Sequence, residues 1–420
     1  MKRLPLVIIL LALSLTGIFP AQAQGEITVT QDSYLTSFPT QVKFTLEARS
    51  SSDIVRITLV YQLAGEAAVN TAYPEFQPSK EITTEYVWNT KKSYVPPGVE
   101  VEYYWRIEDA AGHTLKTPPK SFVYADTRYT WQQLSRGKLV LSWYRGSQDF
   151  GQALLDAAAK GLEQIDRDTG IKVERTVKIF IYGSQTDLLG ALEPRHSEWT
   201  GGVSFSEMGI ILLDISEGRL SWGKRALVHE LTHVAVHQAT DNPYGEVPRW
   251  LNEGLAMYME GDLESPYASA LNQAIKENRL FSLRSLSSYP GDPRQVTLYY
   301  AESYSVVKYL IDDFGREKMA QLMAAFKEGT TQETALTQVL GLSTDGLDAQ
   351  WRQSLGAKAK ASPGPTRSAT PAPTVPAGGV APGSRQGPVV LLCLFLPIIG
   401  GGLLAVALGA GALYFSRRKA

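Results

Sequence analysis

The chain has 420 residues, of which 44% are apolar, and a formal net charge of −1 at pH 7. That length allows two or more domains with sizeable cores, and so even a charge balance provides no basic field for nucleic acid. The single cysteine, Cys393, excludes an intrachain disulfide, so stability has to come from packed cores and any bound metal.

Met1-Lys2-Arg3 precede an apolar run over residues 4–19 and the small-x-small triplet Ala21-Gln22-Ala23. This pattern predicts a signal peptide over 1–23, cut before Gln24, and hence export. Between 24 and 126 the chain reads as strands. After the Pro96-Pro97-Gly98 turn, Val99, Val101, Tyr103, Trp105 and Ile107 alternate with Glu100, Glu102, Tyr104 and Arg106. Similar runs occur at 42–46, 54–63, 82–88 and 122–124, and this density of short strands predicts a β-sandwich. The stretch 97–122 is similar to the later strands of fibronectin type III and other immunoglobulin-like domains. Nothing in this region resembles a site, so a spacer or a packing partner is expected.

From 127 to 356 the periodicity changes and an α+β domain is predicted. Residues 150–165 place Leu154, Leu155, Ala158, Leu162 and Ile165 on one helix face. Apolar strands are expected at 177–182 and 209–214, the latter offering an edge to an extended peptide. Helices are expected at 266–277, 301–314, 317–328 and 331–340. Residues 357–388 are rich in Pro, Ala, Gly, Ser and Thr and read as a linker. Residues 389–415 carry no charge and, at ~1.5 Å per residue, reach about 40 Å, longer than the ~30 Å hydrocarbon core, which predicts a transmembrane helix. Pro397 and Gly400-Gly401-Gly402 are tolerated in such a helix. Arg417, Arg418 and Lys419 make 416–420 a basic cytoplasmic tail. The folded domains are therefore expected outside the cytoplasm, in a bacterial envelope or at a cell surface, on a single-pass anchor.

The chemistry concentrates in His229-Glu230-Leu231-Thr232-His233 and in Trp250-Leu251-Asn252-Glu253-Gly254-Leu255-Ala256. Residues four apart on a helix lie one above the other, so His229 and His233 present two imidazoles to one metal, with Glu230 beside the water position. A catalytic zinc takes three protein ligands and keeps a fourth place for water; Glu253 is the candidate third ligand. Apolar residues on more than one side, including Val228, Val234, Ala235 and Val236, predict that this helix is buried. Pro248 suits the first turn of a second helix, on which Leu251, Leu255, Tyr258 and Met259 recur at helical spacing.

Together these two segments resemble the gluzincin metallopeptidases, and W-L-N-E-G-x-A is close to the wording of the aminopeptidase N-like branch. The ligand spacing also looks like that of thermolysin, and small bacterial peptidase-like domains are the closest fit. Tyr300-Ala301-Glu302-Ser303, opening a helix, resembles the Tyr-Glu-Lys-Gly segment of the aminopeptidase branch. The resemblance implies a thermolysin-like α+β domain, a Zn2+ ion on His229, His233 and Glu253, Glu230 as general base, and a peptide or protein substrate. It also implies that Tyr300 stabilises the oxyanion, with Tyr299 and Tyr304 as rivals.

Two departures sharpen the expectation. No Gly-x-Met-Glu-Asn segment precedes the metal helix, so an endopeptidase is as well supported as an aminopeptidase. Where thermolysin-like enzymes carry an Asp four residues after the glutamate ligand, this chain has Met257, which leaves the partner of the metal-binding histidine unassigned. His237 lies a full turn beyond His233 and is expected to support a ligand or to be structural rather than to bind metal; Glu246 and Glu260 lack the wording around Glu253, and His113 and His196 stand in no motif. The alternative function is an inactive cell-surface binding or adhesion protein with a peptidase-like domain. Oligomeric state is left open.

Overall fold

The computed structural model describes residues 27–192 and 201–357. The signal segment, the span at 389–415 and its basic tail, nearly all of the linker, and His196 lie outside the described residues. No helix among the described residues is long and apolar enough to cross a membrane.

Seven strands come first: β1 (Thr28–Ser37), β2 (Gln41–Leu63), β3 (Val69–Ala72), β4 (Ser79–Asn89), β5 (Val99–Asp109), β6 (Thr114–Lys116) and β7 (Lys120–Tyr124). The expected strands at 42–46 and 54–63 are one strand, β2, which continues through the polar Ser50-Ser51-Ser52-Asp53 run. Its first half pairs with β1 and β4 and its second half with β3 and β5, with the register shifting between Arg49 and Ile54. The seven strands therefore form one hydrogen-bonded sheet rather than two, and the bend in β2 brings its halves face to face. Phe44 of the first half meets Tyr61 of the second at 6.1 Å and Tyr103 of β5 at 5.0 Å, between ring centroids. Alternate residues Val42, Phe44, Leu46 and Ala48 are buried, as a half-buried strand demands.

A second sheet follows, built from β8 (Gln132–Arg136), β9 (Leu139–Trp143), β10 (Val177–Tyr182), β11 (Gly202–Phe205) and β12 (Ile210–Asp214) in the order β11-β12-β10-β9-β8. Strands β9, β10 and β12 run parallel, while β8 and β11 are antiparallel edges. The expectation that 209–214 offers an edge is thereby corrected: β12 lies inside the sheet, paired on both sides, and the edge beside it is β11. A run buried at every position, Ile210 to Asp214, suits an interior strand.

The helices are α1 (Gln148–Thr169), α2 (Gln185–Leu192), α3 (Leu220–Thr240), α4 (Arg249–Met259), α5 (Ser265–Lys276), α6 (Val296–Tyr309), α7 (Arg316–Lys327), α8 (Gln332–Leu340) and α9 (Thr344–Ser354). Helices α1 and α3 cover one face of the second sheet, where Leu154, Leu155, Leu227, Leu231 and Val234 pack on Leu141, Ile179, Ile211 and Leu213. The other face, with Val203, Phe205, Ile210 and Leu212, shares a core with the first sheet. Tyr94 stacks on Phe205 at 5.6 Å and Lys178 Nζ donates to the Gly98 carbonyl at 2.7 Å, so the N-terminal β-domain is a packing partner of the second sheet. Helices α4 and α6 to α9 build a third core on the outer side of α3, leaving α3 enclosed. The whole is a mixed α+β fold.

Candidate metal centre

Thirteen of the 21 residues of α3 are buried, including His229, Glu230 and His233, each at most 1% exposed. Helix α4 crosses beneath them and delivers Glu253, which is fully buried. Its approach depends on Gly254: a Cβ there would lie 2.3 Å from the Ser303 carbonyl oxygen of α6. That close crossing of α4 and α6 also brings Tyr300 to the site, its ring centroid 6.5 Å from that of His229.

Glu253 Oε2 lies 3.8 Å from His229 Nε2 and 3.5 Å from His233 Nε2. One ligand atom from each of the three residues falls within 4.8 Å of the others, and no other group of three such residues does so among the described residues. Neither Glu253 oxygen has a hydrogen-bond partner among the described residues. A buried carboxylate without partners is costly, and two imidazole nitrogens facing it complete a donor set suited to zinc. Burial pushes the Glu253 carboxyl up to about 7; His229, Arg249 and the Tyr289 hydroxyl pull the other way. Burial also holds His233 well below the ordinary imidazole range, with the neighbouring His229 adding to that.

The orienting groups that the sequence left unassigned are now visible. His229 Nδ1 is 2.7 Å from Glu260 Oε1, and His233 Nδ1 is 3.0 Å from Asn252 Oδ1. With Nδ1 protonated, each imidazole donates to its oxygen and turns the Nε2 lone pair toward Glu253. Glu260 in turn accepts from Arg225 at 3.3 Å, one turn before His229 on α3. Burial lowers the His229 pKa, but the hydrogen bond and charge of Glu260, joined by Glu230 and Glu253, outweigh it and hold the imidazole above its ordinary range. Glu260 thus sets a carboxylate against His229 from a place two turns after Glu253, where Met257 could not. The only sequence signal was that i, i+7 spacing; Asn252 was in plain view inside the W-L-N-E-G wording.

Glu230 faces Gly202 at the start of edge strand β11, where an added Cβ would lie 3.4 Å from Oε1. Tyr300 lies within α6, which begins at Val296, so the expectation that Tyr300 opens its helix is corrected: four residues from Val296 precede it. Among its rivals, Tyr304 packs against Tyr258 at 6.3 Å, away from the centre, and Tyr299 lies behind Tyr300 in ring contact at 5.7 Å. His237 lines a cleft of about 240 Å³ beside His233, with Glu246 and Asn252, and is outside the three-ligand group. His113 pairs with Asp109 in the β5–β6 turn.

Residues 157–357 match the Peptidase MA superfamily. This is slightly under half of the chain, and it contains α3, α4 and α6, so the site lies in a peptidase-like domain. No curated protein matches the chain. Among solved structures, an M1 zinc metallopeptidase from Deinococcus radiodurans is 14% identical, with 79% of this chain and 92% of that one covered at a TM-score of 0.32. The Br derivative of BhCBM56 is 10% identical over 22% of this chain and 88% of that one at a TM-score of 0.17. A carbohydrate-binding module family 56 β-1,3-glucan binding domain is 14% identical over 23% and 98% at a TM-score of 0.16. At such scores these likenesses say nothing of what this chain binds or cleaves.

Proposed function

We propose that this protein is a zinc-dependent peptidase of the gluzincin kind, held outside the cytoplasm by a C-terminal membrane anchor. The observation that carries the reading is the burial of Glu230 beside two imidazoles and the fully buried Glu253 carboxylate, which converge on one point. A purely structural site has no chemical need for the extra acid at 230.

His229, His233 and Glu253 would hold the zinc, which when bound would supply Lewis-acid charge and lower the pKa of water from about 15.7 to around 7. Glu230 takes the proton of the attacking water and delivers it to the leaving amine. Tyr300 donates to the developing oxyanion. Glu260 and Asn252 keep the two imidazoles in the required tautomer and orientation. Edge strand β11 pairs with the main chain of an extended peptide, which brings the scissile bond past Gly202 toward Glu230. The signal-like start, the charge-free run at 389–415 and the basic tail support the anchored, exported placement.

The test is metal content of the purified protein followed by hydrolysis of a quenched peptide library. Stoichiometric zinc, with cleavage reduced on the order of 10²–10⁴-fold in Glu230→Gln while zinc is retained, is the expected result. A chain that neither holds zinc nor cleaves any peptide would overturn the reading in favour of a binding protein. Sequencing the product amino termini separates internal cuts from loss of one terminal residue.

A further inference from the structure

Arg249 is the first residue of α4 and stands one turn before Glu253, so the two side chains leave the helix on one side. The residue is half-buried, and its guanidinium carbon lies 5.1 Å from the centroid of the Tyr289 ring. That ring is stacked on Tyr299 of α6 at 5.1 Å and 27°, and Tyr300 meets it edge-on at 6.1 Å. The backbone beneath is fixed as well, since the Pro248 carbonyl accepts from the amides of Leu251 at 2.9 Å and Asn252 at 3.1 Å. A positive charge is thus held on an aromatic platform beside the metal centre. It is felt there: behind the larger effects of burial and of His229, Arg249 favours an ionised Glu253 and disfavours a protonated His233.

What the arginine lacks is an anion. Among the described residues its guanidinium forms no hydrogen bond and no ion pair, and the first turn of α4 carries no acid. The place is unfavourable for the fold alone, because a cation at the start of a helix works against the helix dipole. A methionine would cover the same face of Tyr289, so packing leaves the five guanidinium donors unexplained. Those donors form a planar fork that matches a carboxylate.

We propose that Arg249 is a specificity-determining residue that binds a carboxylate of the substrate, either an acidic side chain or a free carboxyl terminus. The inference rests on the peptidase reading of the neighbouring centre. Only the Tyr289 ring separates the guanidinium from Tyr300, a span that about three extended residues cover at ~3.4 Å each, which sets the carboxylate close to the cleaved bond.

The test uses the full chain with Arg249→Met and Arg249→Lys, each checked for zinc content and thermal midpoint. Quenched peptides are made in matched pairs, Glu against Gln at each position and a free carboxyl terminus against an amide. Preference is read as the ratio of kcat/KM within a pair. The same pairs are titrated calorimetrically into Glu230→Gln chains with and without Arg249→Met, where binding needs no turnover.

The parent should favour the carboxylate member of one pair ~10- to 100-fold, and which pair responds tells a side chain from a terminus. The ratio should fall to ~1 in Arg249→Met and survive in part in Arg249→Lys, which keeps the charge without the fork. A parent that cleaves peptides with no preference for a carboxylate, or a preference undiminished in Arg249→Met, overturns the inference and leaves the peptidase reading intact. A parent that cleaves nothing, yet binds carboxylate members more tightly only when Arg249 is present, sinks the peptidase reading and keeps Arg249 as the anchor. Neither cleavage nor carboxylate preference sinks both.

Discussion

His229 Nδ1 and Glu260 Oε1 stand 2.7 Å apart inside the protein, joining α3 to the residue that caps α4, the helix of Glu253. A charged acceptor on the far side of a ligating imidazole fixes the tautomer and raises its basicity. Glu260→Gln keeps the shape and removes the charge. Zinc affinity, measured by competition with a chromophoric chelator, should fall ~10- to 100-fold. Unchanged affinity would show that the His229 orientation comes from packing alone.

Asn252 does the same for His233 with a neutral oxygen 3.0 Å away. Hydrogen bonds to ionised groups are roughly twice as strong as neutral ones, so Asn252→Ala should weaken zinc less than Glu260→Gln does. The same competition titration ranks the two variants. The reverse order would mean that Glu260 is stabilised mainly by Arg225 and matters little to His229.

The convergence of His229, His233 and Glu253 was legible in the sequence, and its surroundings only in part. Helical spacing placed His229 and His233 on one face, and the wording around Glu253 singled it out as the candidate third ligand. Glu260 and Tyr289 escaped because no motif surrounds them and they reach the centre only through the crossing of α3, α4 and α6. Strand β11 is four residues long and starts at a glycine, too short for period-two alternation to register. The bend in β2 was hidden by Ser50-Ser51-Ser52-Asp53, whose composition signals a turn, although the strand runs through it. The four apolar residues Ile210 to Leu213 of β12, in contrast, are the signature of an interior strand rather than an edge.

Away from the metal, Asp109 holds the β5–β6 turn together: it accepts from Ser50 at 2.6 Å and from the amides of Ala111 and His113. These bonds, Ser50 first, lower its pKa from 3.8 to about 2. A carboxyl depressed in the folded state stabilises the fold above its unfolded pKa, and that contribution is lost as pH falls from about 3.8 through about 2. The thermal midpoint of the parent should therefore exceed that of Asp109→Asn clearly at pH 5, and the gap should shrink toward pH 2. A gap independent of pH over that range would mean that the turn does not depend on the carboxylate charge.

Gly254 tests whether the crossing of α4 and α6 is what assembles the site. A methyl group there would meet the Ser303 carbonyl at 2.3 Å and the Val307 Cγ2 at 2.6 Å. One obstacle is backbone, which cannot rotate aside as a side chain can, so α4 must shift away from α6. Overpacking of this kind costs about 1–3 kcal/mol, occasionally more. Because Glu253 precedes Gly254 on the displaced helix, the loss should appear in two measurements on Gly254→Ala: a lower midpoint of denaturant unfolding, and weaker zinc binding in the protein that remains folded. A variant that loses stability but binds zinc as tightly as the parent would show that the carboxylate follows α3 rather than the α4–α6 crossing.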